Sequence, residues 1–527
     1  MQRQPLSAAA AAVAFGAFCA IPTQTSLAQS VIQLPGVQPA AVDQPRVNIA
    51  FARPDSLDAP LFGTGIFLDP NDPDPFGGGV IEADSVLVEA FFDTGASGAA
   101  VISLGVANEL GFNFQEVGGQ PVIFSDVGAN GSVDFAVSEP LEMFLADSLG
   151  IFDGLDADRL NDLIQPDPFN VNGTYTRSIG PIRAQVGPVD SSVLPDIQPP
   201  LGDLGLTGSD INVVGMPAMD GRVIVMDTKP TNEFDDFFNG VLGGGQLPDD
   251  LADLDVFMRT FSYAPGTPFS GNELDPGIPD TNLHVSLSYA DFGKFTTITP
   301  DGAEPPTSIS NPFIGPNPLG VNAGNGGNDD APPLVLSYGG ASVEGSWLLD
   351  TGAAASFVSE QLASQLGVSY AEDAGIGTEN PRLDGVPLSQ QFTLAIQGID
   401  GNPVEIAGFF ADSLALPTDE GMPLVFGETG GAPVLVLDIE LRDPETGEIV
   451  ILDGIFGMNF LTQSVELIDS GLGFPLPGLA VDSPFDFITF DEPNGKLGFA
   501  LPGVVIPEPA MLGLLAAAPL LRRRRSA

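Results

Sequence analysis

One histidine and one cysteine occur in 527 residues, and those two scarcities remove most enzyme chemistries. Cys19 lies in an apolar N-terminal stretch that reads as a leader, so the chain beyond it has no thiol and no disulfide. A Cys-His pair is therefore excluded. A Ser-His-Asp triad has only His284 to draw on, and no Gly-x-Ser-x-Gly elbow is present. Ordinary zinc sites need several His or Cys ligands and are excluded on the same ground. His284 sits on the alternating apolar stretch 283–289 and reads as structural. No Gly-x4-Gly-Lys-Ser/Thr loop occurs. The residue pattern asks for no metal and no cofactor. Asp69, Asp72 and Asp74 could gather around Ca²⁺, but their spacing fits no EF-hand loop, and a solvated turn is the plainer reading. Basic residues are scarce too: 17 Lys and Arg face 69 Asp and Glu, a net charge of −52. Phosphates would be repelled, which argues against a nucleic-acid partner, and acidic substrates are disfavoured.

Glycine and proline are plentiful, at 64 and 49, while only 16% of residues are charged and 43% are hydrophobic. That balance suits a chain of many short strands and turns, long enough to bury two cores of ordinary domain size.

Within it, Asp93-Thr94-Gly95-Ala96 recurs as Asp350-Thr351-Gly352-Ala353. One Asp-Thr-Gly arises easily by chance; two in matching surroundings do not. Each follows an apolar run, 86–92 and 347–349. Each precedes a small-residue stretch and a helix-like tail with Ser, Ala, Leu and Gly at identical offsets: Ser103, Ala107, Leu110, Gly111, and Ser359, Ala363, Leu366, Gly367. Ser is a good helix start and Gly a good stop, so each copy predicts strand, Asp-bearing turn and short helix. A second element also repeats. Val213-Val214-Gly215 and Ile455-Phe456-Gly457 are each followed by an alternating strand ending in Asp, at Asp227 and Asp469. A glycine there lets one strand pass tightly behind the turn. Two carboxylates facing one another over a shared water, one ionised and one protonated, form a general base and a general acid. Asp93 and Asp350 are the candidate pair. Gly95 and Gly352 allow close backbone approach and N–H donation to the carboxylates. Asp469-Ser470-Gly471 also fits the bare motif but falls where no catalytic turn belongs, and reads as an ordinary turn.

The two turns, the apolar-apolar-Gly segments at Gly215 and Gly457, and the run 487–500, which looks like a closing hairpin, together resemble the pepsin-like and retropepsin-like aspartic peptidases. The resemblance covers roughly residues 80–503. It implies an all-β, bilobal pepsin-like acid-protease fold: two related β-barrel-like lobes, a central cleft and few short helices. It implies endopeptidase chemistry on a peptide or protein substrate of apolar preference, with Thr94 and Thr351 bracing the two turns through their hydroxyls. Two departures stand out. The position after each Asp-Thr-Gly is Ala96 or Ala353 where pepsin-like enzymes carry Ser or Thr, which should raise the dyad's pKa values. No Tyr lies between Asp93 and Tyr175 to serve as the flap tyrosine. The flap is expected at the Asn130-Gly131 turn, with Phe124 or Phe135 as the residue that could cover the cleft.

The expected layout is a signal peptide at 1–28, an N-terminal extension at 29–44, a first lobe at 45–230, a Gly/Pro/Asp-rich inter-lobe region at 231–330, a second lobe at 331–503, and a sorting segment at 504–527. Arg3, the apolar stretch 8–21 and Ser26-Leu27-Ala28 give the leader its features. At the other end Pro507-Glu508-Pro509 precedes an apolar stretch of about a dozen residues, short of the ~20 needed to span a bilayer. Arg522 to Arg525 follow it. This resembles the PEP-CTERM sorting signal of Gram-negative bacteria, with a plain tail anchor as the alternative. The resemblance implies an exosortase-type partner, transient membrane contact through the termini, and export to the periplasm, cell surface or extracellular matrix. Two readings follow. One is a surface-sorted aspartic endopeptidase; the other is a catalytically silent bilobal surface or matrix protein that keeps the scaffold for binding.

Overall fold

The computed structural model describes residues 31–52, 88–146, 175–177, 182–189, 212–228, 257–262, 281–292, 310–320 and 327–501, apart from single residues and short loops within these spans. Both terminal segments, the Asp69–Asp74 cluster, the two-residue hairpin tip 129–130, most of 150–207, and Ser470-Gly471 lie outside the described residues.

The described chain is almost entirely β. Its first part contains β1 (Arg46–Ala52), β2 (Val88–Phe92), β3 (Ala100–Ile102), helix α1 (Leu104–Glu109), β4 (Ile123–Gly128), β5 (Gly131–Val137), β6 (Gln185–Val186), β7 (Val213–Val214) and β8 (Arg222–Asp227). The later part contains β9 (Leu283–Ala290), β10 (Asn311–Ile314), β11 (Trp347–Leu349), β12 (Phe357–Val358), helix α2 (Glu360–Gln365), β13 (Gln391–Gln397), β14 (Pro403–Ala411), β15 (Ala432–Val436), β16 (Gly454–Phe456), β17 (Phe487–Asp491) and β18 (Lys496–Ala500).

The two parts share one strand order. In the first it runs β2-β7-β3-β6-β5-β4; in the second, β11-β16-β12-β15-β14-β13. Every pairing sense matches. β7 and β16 lie parallel to the Asp-bearing strands β2 and β11. Both are antiparallel to the strand that follows the turn, β3 or β12. That strand is parallel to β6 or β15, which in turn is antiparallel to β5 or β14 of a terminal hairpin. Inserting β7 or β16 between the two strands that flank the turn requires a crossover and leaves no room at the point of entry. That is where Gly215 and Gly457 stand.

The two short helices follow from the repeated Ser and Gly. Ser103 Oγ accepts from Val106 N and Ser359 Oγ from Leu362 N, both at 3.2 Å, satisfying donors that a first helical turn leaves free. Gly111 and Gly367 end the segments with φ of +67° and +79°, a conformation that favours glycine.

A larger sheet joins the parts. β8 pairs with β17, β17 with β18, β18 with β9, β9 with β10, and β10 with β11. The run 487–500 is thus a hairpin, closed by a turn with Gly495 at φ +59°, and it lies in the interior of this sheet, between β8 and β9. The stretch 283–290 lies beside it. The expected barrel-like closure of the lobes is not found among the described residues. The first sheet ends unpaired at Tyr175–Arg177 and β4, and the larger one at Phe257–Ser262 and β13. Closing a barrel needs long staggered strands, and the central strands here have two or three residues.

The core is aliphatic and phenylalanine-rich. Phe426, Phe456, Phe460, Phe485 and Phe499 form one cluster, with Phe456 and Phe460 stacked at 5.3 Å and Phe485 and Phe499 tilted against each other at 4.7 Å. Each fully buried side chain of this size contributes roughly 1.5–3 kcal/mol. The single tryptophan, Trp347, is buried directly ahead of Asp350. Residues 31–44 belong to this body as well. Ile32–Gln33 lies parallel to Leu424–Phe426, Ala40–Ala41 pairs with Ser464–Asp469, and Leu34, Val37 and Ala41 enter the main core.

Candidate active site

β2 delivers Asp93 and β11 delivers Asp350 to one place. The approach is close enough that glycine is obligatory on both sides. A Cβ on Gly95 would lie 2.6 Å from Asp350 Cγ, and a Cβ on Gly352 would lie 2.4 Å from Asp93 Cγ. Behind each turn the crossing strand is as tight. A Cβ on Gly215 would lie 2.0 Å from the carbonyl of Gly98 and 2.7 Å from that of Ala96. A Cβ on Gly457 would lie 2.3 Å from the carbonyl of Ala355 and 2.8 Å from that of Ala353. The backbone is fixed there by hydrogen bonds. Asp93 N donates to Val214 O at 2.8 Å and Asp350 N to Phe456 O at 3.1 Å; Met216 N donates to Ala96 O and Met458 N to Ala353 O.

The threonines lock the turns to each other. Thr94 N donates to Thr351 Oγ1 and Thr351 N to Thr94 Oγ1, each at 3.1 Å. Each hydroxyl then donates onward to the strand of the opposite part, Thr94 Oγ1 to Leu349 O at 2.6 Å and Thr351 Oγ1 to Phe92 O at 2.5 Å. Both side chains are fully buried. A hydroxyl is the group that can accept one bond and donate another.

The two carboxyl groups lie within hydrogen-bonding reach of one another, and both are half-buried. Their surroundings differ. Asp93 Oδ1 accepts from Gly95 N at 2.7 Å and Ala96 N at 3.1 Å. Asp350 Oδ1 has no hydrogen-bond partner among the described residues. Desolvation raises the proton affinity of both. For Asp93 it is opposed by the bond to Asp350 and by the N–H groups of Gly95, Ala96 and Gly352. For Asp350 the negative charge of Asp93 adds to desolvation and pushes it well above the usual carboxylate range, against the weaker pull of the Gly352 and Ala353 N–H groups. Both proton affinities are raised and the two groups are coupled, so the pair is built to hold a proton between them.

Two further side chains touch the turns. Asn311 Nδ2 donates to Thr94 O and Gly95 O, both at 3.0 Å, and Gln44 Nε2 donates to Gly352 O. The sequence reading missed both. The signal available was a repeated amide-Pro step, Gln44-Pro45 and Asn311-Pro312, at the head of a strand in each part.

The hairpin β4–β5 stands where the flap is expected, with Gly128 paired to Gly131. Phe135 is not available to cover anything: it is buried with Val101 and Val213, and Ala96 packs against that cluster. His284 is held by Glu420, its Nδ1 lying 2.8 Å from Oε1. It lines a cavity of about 320 Å³ with Asp419, Asp491 and Lys496, and none of residues 93–96 or 350–353 reaches that cavity. Among the described residues no three His, Cys, Asp or Glu side chains gather as a metal ion would require.

Structural comparison matches the chain to the aspartic proteinase from Irpex lacteus. The two are 12% identical over 88% of this chain and 97% of that one, with a TM-score of 0.29. No family model matches the chain, and no curated protein does.

Proposed function

We propose that the chain is an aspartic-type endopeptidase. The observation that carries this is the half-buried pair Asp93 and Asp350, within hydrogen-bonding reach and splinted by the Thr94–Thr351 interlock. Asp93, whose charge is offset by two N–H donors, takes the proton of a water as it attacks a peptide carbonyl. Asp350 gives its proton to the carbonyl oxygen. Collapse of the resulting gem-diol breaks the C–N bond, with a proton passed to the leaving amine, and the pair returns to its singly protonated form. Thr94 and Thr351 keep the carboxyls in register, and Gly95, Gly352, Gly215 and Gly457 allow the approach. An apolar substrate preference fits the excess of acidic residues, which repels acidic peptides.

Incubating the full chain with a peptide mixture and reading the new termini by mass spectrometry tests this directly. Cleavage that is lost in Asp93→Asn and in Asp350→Asn supports the dyad. A folded wild type that cuts nothing across the acid-to-neutral range supports the silent binding scaffold instead.

In the same reading the protein is exported, and its Pro507-Glu508-Pro509 segment is recognised by an exosortase-type enzyme. Intact-mass measurement on protein from its native host checks this. A mature form still carrying Arg522 to Arg525 rules the sorting step out.

A further inference from the structure

The strand registers place Gln44 and Asn311 at equivalent points. Arg46 pairs with Phe91, and Phe313 with Leu348. Continuing each ladder by two residues sets Gln44 opposite Asp93 and Asn311 opposite Asp350. Each then reaches across to the other part's turn: Asn311 to the carbonyls of Thr94 and Gly95, Gln44 to that of Gly352.

Those carbonyls are not arbitrary. The Thr94 carbonyl shares its peptide group with Gly95 N, and the Gly95 carbonyl shares its own with Ala96 N. These are the two N–H groups that hold Asp93 Oδ1. The Gly352 carbonyl shares its peptide group with Ala353 N, which lies against the Asp350 carboxyl. A donor placed on a carbonyl polarises the peptide and strengthens the N–H at its other end.

We propose that Gln44 and Asn311 are positioning residues that tune the dyad through these peptide groups, Asn311 acting on Asp93 and Gln44 on Asp350. This rests on the peptidase reading above. The amides do from behind what a hydroxyl at Ala96 or Ala353 would do from beside the carboxylate. The charged group facing Asp93 is Asp350, and the one facing Asp350 is Asp93; backbone N–H groups supply the remaining contacts. A weaker set of donors leaves each carboxyl holding its proton more tightly, so the two substitutions should move different limbs of the rate profile.

The test uses the full chain with Asn311→Leu and Gln44→Met, which keep bulk and remove the donor. For Asn311→Leu, kcat should fall about 10- to 100-fold with KM nearly unchanged, the range set by a buried acceptor losing its donor. Its acidic limb should move to higher pH. Gln44 is half-buried, so water can replace part of its bond and the loss should be about 3- to 10-fold. Its alkaline limb should move up, because Asp350 keeps its proton longer. A lower kcat with both limbs unmoved marks a merely structural role and overturns the proposal, as does a wild-type profile in both variants. If Asn311→Leu fails to fold, Gln44→Met alone decides. Melting temperature against pH reads the dyad's proton affinity without catalysis. A shift there in a chain that cuts nothing defeats the peptidase reading and leaves the tuning intact; robust cleavage with no shift in either measurement defeats the tuning alone.

Discussion

Asp93 Oδ1 accepts two backbone N–H groups, whereas Asp350 Oδ1 accepts none among the described residues, although the two turns share one sequence and one strand order. A second contrast lies behind the turns. In the first part Gly215 N donates to the carbonyl of Ala99 at 3.1 Å. In the second, Gly457 N donates to Ser356 Oγ at 2.8 Å, and that hydroxyl donates to Asn459 Oδ1 at 2.7 Å, both side chains being buried. Pro217 stands where the second part has Asn459, and cannot join such a chain. What repeats is what close approach demands: Asp, Thr, and two glycines. What differs is what sets proton affinity and local rigidity. A strictly symmetric pair would share its proton evenly; here two N–H donors on Asp93 Oδ1 favour the charge there.

The most severe way to break the comparison is to remove one carboxylate. Asp93→Asn and Asp350→Asn should each cut cleavage by at least about 10²- to 10⁴-fold, since neither role is redundant. Both variants should also change the pH dependence of stability. A carboxyl whose folded-state pKa lies above its ordinary 3.8 binds its proton more tightly in the folded chain. Its stabilising contribution is full below that value and is lost as pH rises through the raised one. Each substitution removes one raised carboxyl and uncouples the other, so the melting temperature of each variant should depend less on pH than that of the wild type. A variant as pH-dependent as the wild type would show that the two carboxyls are not coupled.

Gly215→Ala and Gly457→Ala test whether both crossings are equally tight. Each places a methyl inside the contact distance of a backbone carbonyl that cannot swing away. Losses at or above about 1–3 kcal/mol are expected from overpacking, larger for Gly215, and chemical denaturation measures them. A stable Gly215→Ala chain would mean that the crossing can open.

Ala96→Ser with Ala353→Thr adds a hydroxyl beside each carboxylate. Better-solvated anions lose their protons at lower pH, so the acidic limb of the rate profile should move down, by up to about one pH unit for a hydrogen bond of ordinary strength. The wild-type optimum should lie in the mildly acidic to near-neutral range. An optimum near pH 2, or no movement in the double variant, would show that these alanines leave the dyad's proton affinity alone.

The smallest effect on cleavage belongs to Ser356→Ala, which removes the Gly457–Ser356–Asn459 chain and acts on stability. It should cost about 1–3 kcal/mol, as for a buried partner left unsatisfied. Ala99→Ser has no Asn opposite it and should gain nothing. Thermal unfolding of both variants checks the difference.

The sequence was most readable where geometry leaves one choice of residue. Gly215 and Gly457 are needed because a carbonyl lies within 2.0–2.3 Å of any Cβ, and Ser103 and Ser359 because a short helix needs a cap. Such requirements leave residue-level marks. Gln44 and Asn311 left a fainter one, because an amide reaching a carbonyl can come from many places and only the strand register shows that the two are equivalent. Phe135 misled for a related reason. Alternation along a hairpin does not say which face is buried, and here it faces Val101 and Val213. The absence of closed barrels among the described residues was unreadable from strand patterns, since edge pairing depends on strand length in space. The unequal donor sets around two identical motifs were beyond any local reading.

The early segment that crosses to the late part of the chain has a consequence for the order of assembly. Gln38 N bonds Ser464 Oγ across 426 residues, and Gln44 bonds Gly352. At roughly 5–20 residues per second of synthesis, roughly 20–85 seconds separate the birth of Gln38 from that of Ser464. For the 257 residues from Asp93 to Asp350, roughly 13–51 seconds at the same rate, the nascent chain holds Asp93 without its counterpart, and contacts of such long range are slow to close once both ends exist. The carboxyl pair thus waits on the later part of this polypeptide, and under the proposed peptidase function a copy stopped before Asp350 has no dyad with which to cut its neighbours.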